Sequence, residues 1–80
     1  MDWITEATQH VATAVGLDAA TLEPSADEQQ TLLDLAGVAA HRSGARTNAP
    51  LLCHVLGRAV AQGASLDDLA RAVREYAGDE

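Results

Sequence analysis

The residues that could do chemistry in this 80-residue chain concentrate in one polar stretch near its middle. Residues 41–50 read HRSGARTNAP and bring together His41, Arg42, Arg46, Thr47 and Asn48. Guanidinium groups, hydroxyls and the unpaired N–H groups of a helix start are donors that bind phosphate or another small anion. The same residues suit a structural role, because cations stabilise a helix C-terminus and Thr or Asn caps the next helix. Anion binding and simple capping are therefore both open.

A second polar group follows within the next predicted helix. His54 and Arg58 are four residues apart, which places them on one helix face, where they could extend the positive surface or form a solvated polar strip. Together with the preceding stretch they complete the predicted anion- or partner-binding set: His41, Arg42, Arg46, Thr47, Asn48, His54 and Arg58.

No catalytic or metal-binding constellation is predicted. The histidines have no Cys or carboxylate at the spacing of zinc ligands. Cys53 and His54 are neighbours in sequence, so on a helix they point about 100° apart, and Cys53 is predicted to pack. Acid pairs fall in first helical turns, where they stabilise the helix. We therefore predict a protein that is not an enzyme and that has no cofactor and no metal.

Four helical patterns, separated by glycine stops, must position these residues. The periodicity and capping signals predict helices over about 3–15, 26–43, 49–62 and 66–77. Asp2, Ser25 and Ser65 are predicted N-caps, and Ser25 with Glu28 has the spacing of a capping box. Pro50 suits the first turn of the third helix. The sequence therefore predicts an all-α fold, a compact four-helix domain, with residues 1–80 as a single domain.

The apolar positions also predict how these helices pack. The third helix is apolar over more than half its circumference, so we expect it to be the central helix. Trp3 is expected to hold the first helix on the bundle, and Leu17 and Leu22 to anchor the following link to the core. Gly37 and Gly57 are unfavourable within helices, so we expect them either to permit close helix approach or to leave room beside a histidine.

The charge distribution limits the classes of partner. A formal net charge of −7 argues against binding to nucleic acid or to an anionic membrane surface. The acids lie in the flanks, however: residues 1–35 contain seven acids and no arginine, whereas residues 36–66 contain three arginines and no acid. An anionic partner would bind this middle block. Seventeen of the apolar residues are Ala, so the core is thin and a homodimer is a hypothesis for sedimentation to test.

The sequence also bears on location. No apolar run approaches the roughly 20 residues that span a bilayer, so no transmembrane segment is predicted. The chain lacks the basic start and apolar run of a secretory signal, and its one cysteine cannot form an internal disulfide. We therefore expect a cytoplasmic protein.

A set of short motifs extends from Trp3 to about Gly63. They are an Asp-Trp opening, Leu32-Leu33-Asp34-Leu35-Ala36, Ala40-His41, Arg46 and Ala49-Pro50-Leu51, followed by a small-residue helix with Gly57. With these motifs the chain resembles a family of small uncharacterised helical domains from high-GC bacteria. Members occur alone or attached to the C-terminal side of molybdenum cofactor guanylyltransferases. Thr47-Asn48 stand where members commonly have another proline, so the loop conformation need not be the same.

The resemblance implies a process more than a chemistry. It implies a non-catalytic accessory or interaction domain linked to molybdopterin guanine dinucleotide biosynthesis, with a molybdenum cofactor guanylyltransferase as its partner. The alternative is a small module that binds an anion or a nucleotide phosphate through the 41–50 loop. A third hypothesis is an unrelated protein-interaction or dimerisation domain.

Overall fold

The computed structural model describes residues 2–78, and within them the chain forms five helices and no strand. The helices are α1 (Trp3–Val15), α2 (Ala19–Leu22), α3 (Ala26–Ser43), α4 (Asn48–Ala61) and α5 (Leu66–Ala77). The predicted all-α fold is confirmed. Helix α4 is shifted by one residue from its predicted range, and the four-residue α2 is an addition within the first link.

The predicted N-caps are confirmed. Oδ1 of Asp2 accepts a hydrogen bond from the Thr5 amide at 3.0 Å, and Oγ of Ser65 accepts one from the Asp68 amide at 3.3 Å. Ser25 and Glu28 form the predicted capping box, with both reciprocal bonds present. Each bond satisfies an amide that would otherwise lack a partner in the first helical turn. Local sequence signals therefore account for where these helices begin.

The core lies among α3, α4 and α5. Each of these helices contributes one buried residue to it, namely Leu35, Leu56 and Ala70. Helix α3 contacts both α4 and α5 and occupies the middle position. The prediction that α4 is central is therefore wrong: Leu51 and Val55 are 63% and 58% exposed. The reason is that only α3 and α5 are available to cover α4, and together they cover one side of it.

Helices α1 and α2 form a separate hairpin. The Cα atoms of α1 come within 8 Å of α2 and of none in α3, α4 or α5. Trp3 is 77% exposed, and both Leu17 and Leu22 are exposed, so the expectation that they anchor this segment to the core is wrong. Trp3, Leu17 and Leu22 are apolar but remain exposed, because the hairpin that contains them does not pack against the core helices.

Two faces of α1 explain this result. One face is formed by Thr5, Thr8 and Ala12, which are half-buried or buried, and Ala12 is the most buried of them. The apolar residues that the periodicity placed together form a second face, centred about 110° away around the helix. This apolar α1 stripe consists of Trp3, Ile4, Ala7, Val11, Ala14 and Val15. Packing α1 through its small, polar face leaves most of the stripe exposed to solvent.

Gly37 and Gly57 have open space around them. A Cβ built on either residue would meet no atom within 4 Å, apart from the helix's own nearby backbone. The alternative of close helix approach is therefore wrong. Glycine is required elsewhere, at Gly16 and Gly44, where φ of 74° and 73° ends α1 and α3 in the left-handed region.

The molecule has a large surface for its size. Its accessible surface is 5790 Å², whereas a folded monomer of this mass is expected to expose about 4,600 Å². The radius of gyration is 13.5 Å, against an expected value of about 11.6 Å for 80 residues. None of the helices in residues 2–78 combines the length and hydropathy needed to cross a bilayer.

Candidate functional site

A groove lies between the second half of α3, the first half of α4 and the second half of α5. Its volume is ≈ 960 Å³. Aliphatic side chains from all three helices form its walls: Val38, Ala39, Leu51, Leu52, Val55 and Val73. A concave surface of this size with mostly apolar walls and a few polar groups is a typical binding site, so the groove is the candidate site.

Helical spacing explains how three short segments build this groove. Leu51 and Val55 are four residues apart and therefore form one ridge along α4, beside the core residues Leu52 and Leu56. On α5, Val73, Tyr76 and Ala77 share the same spacing, while Ala72 completes this wall. The Tyr76 side chain is 95% exposed. The helical period of α5 places Tyr76 with the buried residues of this helix, but α4 leaves it uncovered at the groove edge.

Polar side chains lie at one end of the groove. Arg42, Ser43 and Asn48 lie at the end where α3 leaves and α4 begins, and no carboxylate is among the described lining residues. Arg58 is three residues beyond Val55 on α4 and continues the ridge of that helix. The apolar walls therefore end in a rim supplied by the arginine-containing, acid-free middle block.

The predicted site residues divide between the groove and the surrounding surface. Arg42 and Asn48 line the groove. The remaining five are exposed but do not line it: His41, Arg46, Thr47, His54 and Arg58. The structure thus brings two of the seven into one concave site and leaves the others on helix and loop surfaces.

The start of α4 differs from the expected anion cradle. Thr47 is the N-cap residue, and its side chain makes no capping hydrogen bond. The Asn48 amide donates to the Ala45 carbonyl at 3.0 Å, and the Ala49 amide donates to the Arg46 carbonyl at 3.1 Å. Two N–H groups that were expected to be unpaired are thus used by the loop itself. An anion here would depend mainly on the arginine side chains.

Sequence reasoning missed the apolar part of the site. Leu51, Val55 and Tyr76 follow the helical period of buried residues, so periodicity alone predicts all three in the core. The sequence did contain a signal for exposed apolar residues. The helix that became α4 is apolar over more than half its circumference, and the three other predicted helices are too short to cover so wide a surface. Periodicity identifies an apolar face but does not state what covers it.

Other chemistry in the described residues is sparse. Residues 2–78 contain no group of three or more His, Cys, Asp or Glu side chains that could hold a metal ion. Cys53 is a half-buried free thiol on α4. The Thr5 amide donates a 3.0 Å hydrogen bond to Oδ1 of Asp2 and so lowers the pKa of this carboxyl, which is remote from the groove in sequence. A smaller depression of ≈ 260 Å³ lies between the acidic starts of α3 and α5.

Comparison with known proteins identifies a family but no activity. No curated protein and no solved structure matches this chain. A family model described as "Domain of unknown function (DUF6457)" matches residues 1–80. The match extends over the α1–α2 hairpin as well as the helices that form the groove. The chain therefore belongs to the DUF6457 family of small domains.

Proposed function

We propose that this domain is a non-catalytic interaction module whose groove receives an apolar helix of a partner protein. Following the resemblance described above, the partner is a molybdenum cofactor guanylyltransferase and the process is molybdopterin guanine dinucleotide biosynthesis in the cytoplasm. The observation that carries the docking part is that the exposed side chains of Leu51, Val55 and Tyr76 line one groove.

The composition of the groove supports a protein partner. Aliphatic walls with a few polar groups at one end suit the apolar face of an amphipathic helix, which docks through residues spaced three and four apart. Aromatic and arginine side chains are common at the centres of interfaces, and this groove has Tyr76 and Arg42. The α3 and α4 walls come from residues 36–66, which contain three arginines and no acid, and this favours a partner segment flanked by carboxylates.

Phosphate binding at the 41–50 loop is the second candidate. Its support is the proximity of Arg42 to Asn48 at the groove end, with Arg46 in the connecting loop. It ranks second because the Asn48 and Ala49 amides already donate to loop carbonyls. GTP or inorganic phosphate should then shift only a few amide resonances around residues 42–51, whereas a docked helix should also shift those of α5.

Binding to the purified guanylyltransferase tests the proposal, with Leu51→Asp as the groove variant. Leu33→Asp is the matched control, because Leu33 is 68% exposed on α3 and does not line the groove. We expect calorimetry to show binding for the wild type and Leu33→Asp, and at least about tenfold weaker binding for Leu51→Asp. No binding by the wild type would refute the choice of partner. Equal binding by both variants would refute the groove as the docking site.

A further inference from the structure

We propose that, in the free protein, the groove of each copy is occupied by the α1 helix of a second copy, giving a dimer with two reciprocal contacts. This inference concerns how access of a partner to the groove is regulated, and it rests on the proposed function because it takes the groove as a docking site. It adds an occupant made of this chain itself, which an external partner would have to displace.

The first support is the match between two incomplete surfaces. The apolar α1 stripe presents Trp3, Val11 and Val15 to solvent, while the groove presents Leu51 and Val55. An amphipathic helix with exposed apolar positions spaced three and four apart is the usual occupant of such a groove. Neither surface is covered by another element within residues 2–78, so one copy carries both halves of an interface.

The second support is charge complementarity. Residues 1–35 contain seven acids and no arginine, and Glu6 lies on α1 itself. The α3 and α4 walls of the groove come from residues 36–66, which contain three arginines and no acid, and the residues that line it from α5 are uncharged. Opposite charge around an apolar contact favours this pairing over contact between two grooves or two α1 helices, which would bring like charges together.

The exposed area is sufficient for a stable dimer. The accessible surface of 5790 Å² exceeds that expected for a compact monomer by about 1,200 Å². A standard protein interface buries about 800 Å² on each partner. Docking α1 and covering the groove on each copy could therefore hide an area of this size and leave a surface typical of a folded protein.

The hairpin geometry directs α1 to another copy rather than to its own groove. The Thr5 hydroxyl donates to Glu23 at 2.8 Å, which fastens α1 to the end of α2, in the link that precedes α3. The groove lies near Arg42, about 24 Å further along α3 at 1.5 Å per residue. No Cα of α1 lies within 8 Å of α3, so α1 does not run along α3 toward that end. A reciprocal arrangement fills both grooves without breaking the hairpin.

Paired variants of α1 test the occupant. Val11→Asp with Val15→Asp changes the stripe, while the matched control, Gln9→Asp with Thr13→Asp, adds the same charges at the same spacing on the opposite, exposed face. In sedimentation velocity over a concentration series, we expect the wild type and control to dimerise. The stripe variant should have a dimer dissociation constant raised about 100-fold or more. A monomeric wild type, or equal effects of both double variants, would overturn the proposal.

Mixing two defective variants tests the reciprocal arrangement. Leu51→Asp retains a normal α1, and the stripe variant retains a normal groove, so the mixture can form one of the two contacts. At a concentration where each variant alone is monomeric, we expect a heterodimer in the mixture, with circular dichroism confirming that both are folded. Failure of the folded pair to associate would exclude α1-in-groove docking.

Trp3 reports on the site directly, because it is the single tryptophan and is 77% exposed. We expect its emission to move to shorter wavelength as the protein concentration rises through the dimerisation range. Emission at the shorter wavelength at every protein concentration would indicate that Trp3 docks within its own chain, and this result would overturn the dimer. The stripe variant also separates the two proposals. If it binds the guanylyltransferase as well as the wild type or more tightly, and neither the wild type nor any variant dimerises, only the dimer is refuted.

Discussion

The hydroxyl of Thr5 donates a 2.8 Å hydrogen bond to Oε2 of Glu23 and joins α1 to the end of α2. This bond is the side-chain link across the hairpin, and it is partly buried. The bond lies on the face through which α1 packs, and most of the apolar α1 stripe is exposed on another face. A polar contact between residues 18 positions apart thus contributes to holding α1 in this orientation.

We expect Thr5→Val to loosen the hairpin without unfolding the α3–α5 core. Loss of one partly buried hydrogen bond costs about 1 kcal/mol, or about a fivefold change in an opening equilibrium. Amide hydrogen exchange in α1 should therefore be about fivefold faster, at a concentration where the protein is monomeric. Thr8→Val is the control, because the Thr8 hydroxyl donates to the Ile4 carbonyl within α1. Equal acceleration by both variants would contradict the role given to Thr5.

We expect Leu35→Ala and Leu33→Ala to differ greatly although the residues are two positions apart. Leu35 is fully buried, and its truncation should lower the free energy of unfolding by about 2–5 kcal/mol. Leu33 lies on the exposed face of the same helix, and its truncation should change this free energy by no more than about 0.5 kcal/mol. Urea unfolding followed by circular dichroism measures both. Similar losses would mean that α3 is oriented differently.

We expect Gly37→Ala and Gly57→Ala to stabilise the fold. Both glycines are within helices, and a Cβ at either position would meet open space. Each substitution should raise the free energy of unfolding by about 0.5–1 kcal/mol, because alanine loses less backbone entropy on helix formation. Gly44→Ala should do the reverse, since φ there is 73°. Thermal unfolding is the measurement, and a destabilising Gly57→Ala would indicate a close neighbour at α4.

We expect the N-cap of α1 to weaken only in acid. The hydrogen bond from the Thr5 amide lowers the folded-state pKa of Asp2 from its ordinary value of 3.8. A lowered folded pKa means that the carboxylate's stabilisation is present above pH 3.8 and is lost as pH falls through the folded value.

Carbon-detected NMR titration of the Asp2 carboxyl measures this pKa directly. A midpoint at or above 3.8 would contradict the cap. In Asp2→Asn, the amide oxygen can still cap the helix but does not titrate, so exchange of the Thr5 amide should lose this acid-dependent component.

Local sequence determined the secondary structure of this protein. Asp2, Ser25 and Ser65 cap the helices as predicted, and the left-handed glycines Gly16 and Gly44 end two of them. These features depend on hydrogen bonds within a few residues, so nearby residue types contain the needed information. Only the short α2 was missed, because its four residues show no helical period.

Tertiary structure decided which apolar faces are covered. Periodicity placed Trp3 with Val11 and Leu51 with Val55, but burial depends on neighbours that are distant in sequence. The hairpin packs α1 through Thr5 and Ala12, and α3 rather than α4 takes the middle of the core. The sequence by itself therefore determined the helices and their apolar stripes. The three-dimensional arrangement decided which stripes stay open, because one small chain has too few helices to cover all of them.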